Sequence, residues 1–172
     1  MIVTLALRGL QVIFAGVVLA LSAILIKDFG PGHSWSLTSY GAFCGGASLL
    51  IALVGVAACF VDSLQGIIMF ALDGIASFFL LAGGIAYAAT INVGNCNNLV
   101  YLSQHDNPFA ISADKIFDVS QSKLVKAVLD DITTRCRETQ ASTAFLWFLA
   151  ACFVGTFVMS LMGRKRGSNS IA

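Results

Sequence analysis

The sequence predicts an all-α membrane protein: a bundle of four membrane-crossing helices with one large polar loop between the third and the fourth. Three observations predict this. The chain is 58% hydrophobic and 11% charged, with a mean hydropathy of +0.86, against roughly 45–50% apolar and 25% charged residues in soluble domains. Four apolar runs, at about 5–26, 39–61, 67–91 and 141–163, reach the roughly 20 residues that a helix rising 1.5 Å per residue needs to cross a bilayer. Each run is apolar all round, which separates a lipid-embedded helix from an amphipathic surface helix. The expected organisation is a membrane domain over 1–163 and a short basic tail over 164–172. A net charge of +1 does not supply the dense basic face that nucleic-acid binding requires.

The first run reads as a span and not as a cleaved signal peptide, although Ala20-Leu21-Ser22 has small residues at cleavage spacing. No cation precedes its apolar core, Arg8 lies inside it, and the stretch from Gly9 to Ile26 exceeds the usual signal core of about 7 to 15 residues. The loop that follows contains Gly30-Pro31-Gly32, which cannot continue a helix. Beyond it, Trp35 and Tyr40 suit a headgroup belt. Gly32-His33-Ser34-Trp35-Ser36 has the look of a nucleophile elbow but lacks the closing glycine and a preceding strand.

The second run carries two overlapping pairs of small residues at four-residue spacing, Gly41 with Gly45 and Ala42 with Gly46. Lipid provides no hydrophobic force between helices, so close backbone approach and weak hydrogen bonds must hold them together. Gly16 with Ala20 and Ala151 with Gly155 repeat the theme in the first and fourth runs. Packing within the bundle is the expected use of these pairs, and an oligomer seam is the alternative. Cys59 is a candidate for S-acylation near the end of the second run, with a plain buried thiol as the alternative. Cys44 and Cys152 read as buried thiols.

The short turn from Asp62 to Gly66 makes the second and third spans antiparallel neighbours. Asp73 then falls about two turns into the third span. A carboxylate at a helix centre costs roughly 2.5 to 3.5 kcal/mol on insertion scales, so it needs a partner. Arg8 is the basic residue on another span at the same face, and a link between the two is the expectation, with an ion or proton pathway as the alternative.

The polar loop over 92–140 opens on Asn92, Asn95, Cys96, Asn97 and Asn98 and closes on Arg135-Cys136-Arg137-Glu138. Two antiparallel spans bring Cys96 and Cys136 to one face, which makes a disulfide geometrically reasonable on an oxidising side. Free thiols are the alternative; zinc is disfavoured, because no His or second thiol sits at ligand spacing. After the turn at Asn107-Pro108, an apolar stripe of Leu124, Val125, Val128, Leu129 and Ile132 faces away from Lys123, Lys126, Asp130 and Asp131. This predicts one or two short helices from Ile111 onward, with an amphipathic segment near 112–134, either covering the mouth of the bundle or lying in the headgroup plane. After the fourth run, Arg164-Lys165-Arg166 forms a stop-transfer flank suited to an anionic leaflet. Four spans place both termini on one side, and the candidate disulfide assigns that side to the cytoplasm.

Leu72-Asp73 opening the third span, Cys96-Asn97-Asn98 after it, and Arg135-Cys136-Arg137-Glu138-Thr139-Gln140-Ala141 leading into Phe145-Leu146-Trp147-Phe148 resemble the fungal non-classical export protein family. That family has the MARVEL four-helix membrane fold, similar in architecture to the physins and occludin. The resemblance runs over essentially the whole chain; the loop before the fourth span is the longer part here. It implies a plasma-membrane protein of eisosome-type domains, concerned with membrane organisation, sphingolipid response and protein sorting or unconventional export. The partners expected are membrane lipids (sphingolipid or sterol), further copies of the chain and other plasma-membrane proteins. No cofactor or catalytic site is expected, since no metal spacing, phosphate-binding glycine loop or polar stripe runs through the spans. An accessory subunit of a larger membrane protein is the alternative function, and a transporter using Asp73 a further one.

Overall fold

The computed structural model describes residues 2–28, 35–60, 67–92, 94–104 and 121–168. They form α1 (Ile2–Asp28), α2 (Ser36–Ala58), α3 (Ile67–Ile91), a short α4 (Leu99–Gln104) and α5 (Gln121–Ser168). The described residues are otherwise turns and irregular segments, with no strand among them. Among the described residues, four helices are long and apolar enough to cross a membrane: α1, α2, α3 and the Val128–Gly163 part of α5. They close into a ring in which α1 packs on α2 and α5, and α3 packs on α5 and α2. The core lies on the ring axis, with Ala15, Val18, Leu80, Tyr87, Leu146, Leu149 and Phe153 all buried.

Small residues set how closely the helices approach. A Cβ at Gly45 would lie 2.8 Å from the backbone nitrogen of Leu19, so the backbones of α1 and α2 nearly touch there. Gly41 faces Ser22 and the hydroxyl of Tyr87, which donates to the carbonyl of Leu37 at 2.9 Å. Tyr40 and Trp35 pack on α3. The Tyr40 ring lies over Gly83 and its hydroxyl donates to Phe79 O at 3.0 Å, while Trp35 meets Tyr87 edge to face. In lipid, such hydroxyl bonds replace the water that is missing.

The structure corrects the expected layout of the polar loop. From Gln121 the amphipathic segment belongs to α5, one continuous helix of 48 residues that runs on into the fourth span. No Gly or Pro occurs between Gln121 and Val154, so nothing breaks the backbone ladder where hydropathy changes at about residue 140. Thr139 donates to Arg135 O at 2.7 Å and Thr143 to Thr139 O at 2.8 Å, carrying the helix through that boundary. Residues 105–120, including Asn107-Pro108, lie outside the described residues, as do 29–34 with the elbow-like motif and the turn from Asp62 to Gly66.

At the other side of the loop, α3 stops at Asn92, whose φ of 43° is left-handed. Asparagine tolerates that conformation better than most side chains. Asn98 Oδ1 then accepts from Val100 N at 3.0 Å and starts α4. Tyr101 of α4 folds back over Gly94 and donates to Ile91 O at 2.6 Å.

Candidate functional site

Arg8 enters the bundle from α1 with 5% of its surface exposed, and Asp73 from α3 with none. Nη1 donates to Asp73 Oδ1 at 2.7 Å and Nη2 to Oδ2 at 2.6 Å, a bidentate ion pair. Three helical positions along α1, Gln11 accepts from Arg8 Nη1 at 2.9 Å and donates from Nε2 to Thr156 Oγ1 of α5 at 3.1 Å. The Thr156 hydroxyl in turn donates a hydrogen bond to Phe153 O at 2.9 Å. The second helix contributes an absence of side chain. A Cβ at Gly55 would lie 2.6 Å from Arg8 Nε and 2.7 Å from Cζ, so only glycine lets α2 close over the guanidinium. One network therefore joins α1, α3 and α5 under a glycine of α2, and its charges cancel. In a medium where an isolated charge is costly, this arrangement gives both carboxylate oxygens a donor.

Above this network, at the end where α1 begins and α5 ends, lies a cavity of about 630 Å³. All four long helices line it, with Leu5, Phe60, Phe70 and Met159 among the apolar walls and Arg8 and Thr156 among the polar ones. The opposite end is closed covalently. Cys96 and Cys136 form a disulfide, with their Cα atoms 5.8 Å apart and 40 residues between them in sequence. Gln140 Nε2 donates to Gly94 O at 2.8 Å beside it, and Arg137 Nη2 to Asn97 Oδ1 at 3.4 Å.

The MARVEL model, a membrane-associating domain, matches residues 2–159. The chain belongs to the MARVEL family. Similar proteins include the Non-classical export protein 2 of Saccharomyces cerevisiae, 31% identical over 111 residues, and the Non-classical export protein 2 homolog of Schizosaccharomyces pombe, 24% identical over 161 residues. The first match takes in 64% of this chain and 52% of the relative, so it spans about half the relative's length; the second takes in 92% and 76%. No solved structure matches the chain at a significant level.

Within this MARVEL bundle the small-residue pairs divide. Gly41 and Gly45 are buried at helix contacts, whereas Ala42 and Gly46 are only half-buried and a Cβ at Gly46 would meet Leu19 at an ordinary 3.9 Å. Gly16 and Gly155 have nothing within 4 Å of an added Cβ, and Ala20 and Ala151 are exposed. Those two pairs are thus not used in packing this bundle, because they fall on the faces of α1 and α5 turned away from its axis. Cys59 is half-buried, lines the cavity and sits 3.4 Å from Gly55 O. Cys44 and Cys152 are buried free thiols. Arg164, Lys165 and Arg166 continue α5, and their side chains lie outside the described residues. Among the described residues no three His, Cys, Asp or Glu side chains group to hold a metal.

Sequence reasoning missed Gln11, Gly55 and Thr156. Gln11 had a legible signal: it stands one helical turn from Arg8, on the same face. Gly55 and Thr156 are ordinary in any membrane helix, and only the fold assigns them a neighbour.

Proposed function

We propose that this MARVEL protein is a non-enzymatic organiser of plasma-membrane microdomains of the eisosome type, taking part in sphingolipid response and in protein sorting or unconventional export. The observation that carries this reading is the division between inside and outside. Asp73 is fully enclosed, with both carboxylate oxygens bound to Arg8, which argues against a carrier that must load and release at that carboxylate. The lipid-facing surface is open to recognition. It presents Phe43, Phe78 and Phe148 at 57%, 70% and 57% exposure, together with the small-residue faces of Gly16 with Ala20 and Ala151 with Gly155. We assign those faces to contact with further copies of the chain, since close approach is the main route to helix association in lipid. The names of the yeast relatives support the export role. A disulfide at the end opposite the termini supports cytoplasmic termini, because that end then meets the oxidising side.

Native mass spectrometry of the protein released from its own membrane in mild detergent tests this. A homo-oligomer that retains sphingolipid or sterol is expected. A lipid-free monomer, or a complex of fixed stoichiometry with one larger protein, overturns the reading in favour of an accessory subunit.

A further inference from the structure

The ion pair does not use all of Arg8. A guanidinium has five N–H groups, and the three hydrogen bonds from Arg8 go to Gln11 and to the two oxygens of Asp73. The two N–H groups left over, on Nε and Nη2, lie side by side on one edge of the group. They have no acceptor among the described residues, yet Arg8 is 95% enclosed by the fold and Nε is not among the buried atoms sealed off without a partner. That edge belongs to a residue lining the cavity at the terminal end of the bundle. Gly55, with no side chain, lets the α2 backbone lie against the guanidinium, and it lines the same cavity.

We propose that this cavity is a binding site for a neutral membrane lipid, held by an uncharged oxygen on the free edge of Arg8 and by its hydrocarbon against Leu5, Phe60, Phe70 and Met159. Three features select the ligand. The unmet groups are donors, so the ligand supplies an acceptor: a hydroxyl, ester or amide oxygen. The charge of Arg8 is already matched by Asp73, and no second cation lines the cavity among the described residues, so an anionic head would bring an unmatched charge into an apolar site. The volume of about 630 Å³ falls within the range of roughly 300–1,000 Å³ of ordinary ligand sites. Because the walls come from all four long helices, a lipid seated there ties their ends together. The inference rests on the reading of the protein as a lipid-associating organiser and assigns that reading a place.

The test uses the full chain in phosphatidylcholine nanodiscs carrying trace photoactivatable diacylglycerol, ceramide or sterol, with photoactivatable phosphatidic acid as the charged control. Labelled peptides are mapped by mass spectrometry. Labelling by at least one neutral probe is expected to concentrate on Leu5, Phe60, Phe70 and Met159, and to be competed by the same unlabelled lipid but not by phosphatidic acid. The neutral probe that labels identifies the head. Ser160→Phe, which fills the cavity away from the ion pair, is expected to lower that labelling to the level of lipid-facing Phe43 and Phe78. Arg8→Lys keeps a charge for Asp73 and removes the edge; a loss of roughly three- to tenfold is expected, about what one hydrogen bond carries. Even labelling across the lipid-facing surface, or preference for phosphatidic acid, overturns the proposal. The competition arm needs no variant, so a misfolded variant leaves the test intact. Even labelling beside a lipid-retaining oligomer in native mass spectrometry would remove this site and keep the organiser reading.

Discussion

Arg8 of α1 and Asp73 of α3, 65 positions apart in the chain, meet through two hydrogen bonds of 2.7 and 2.6 Å with the carboxylate wholly enclosed. Removing one partner strands the other. Asp73→Ala is expected to destabilise the bundle by about 3–5 kcal/mol, the range for an uncompensated buried charge. Arg8→Met with Asp73→Leu is expected to recover most of that loss, because both charges leave together. Thermal unfolding in detergent, read alongside the yield of monodisperse protein, checks both. An Asp73→Ala protein as stable as the parent would refute the coupling.

Gly45 and Gly155 make a controlled comparison. Alanine at Gly45 places a methyl 2.8 Å from the backbone of Leu19, which cannot swing aside. A cost of about 1–3 kcal/mol is expected as α1 and α2 separate. Alanine at Gly155 meets nothing within 4 Å and is expected to change monomer stability by less than about 0.5 kcal/mol. If the oligomer seam runs over that face, Gly155→Leu shifts the subunit number in native mass spectrometry while the fold persists.

Cys96 and Cys136 close a loop with a sequence separation of 40. Replacing both with serine is expected to cost about 2–4 kcal/mol, mostly by freeing the unfolded chain. Equal melting of reduced and oxidised protein would argue that the hydrogen bonds of Gln140 and Tyr101 hold this end without the covalent link.

The continuity of α5 is open to a direct test at Thr134, which is exposed and donates its hydroxyl to Asp130 O at 2.8 Å. Thr134→Pro is expected to cost about 3 kcal/mol, as in any helix interior. The same change in a loop ahead of a separate span would be nearly silent.

The spans could be read from the sequence because lipid demands length and hydropathy, and α3 was found at its predicted bounds, 67–91. The partners Arg8 and Asp73 were also legible, since two opposite charges at the same depth of two apolar runs have few other places to go. The start of α5 was not. Hydropathy changes near Gln140, but a helix ends where its backbone ladder is broken, and Arg135 and Thr139 are buried inside it at 3% and 1% exposure. Nor could spacing alone say which small pairs touch. Gly41 with Gly45 and Gly16 with Ala20 read alike along the chain and differ only in the side of the helix that meets a neighbour.

The disulfide holds α5 partway along its length. The fifteen residues from Gln121 to Arg135 run on beyond Cys136 for roughly 22 Å at helical rise, while the rest of the helix is wedged between α1 and α3. One unbroken backbone therefore joins the covalently closed end of the bundle to the end where Thr156 bonds Gln11 and Met159 borders the cavity.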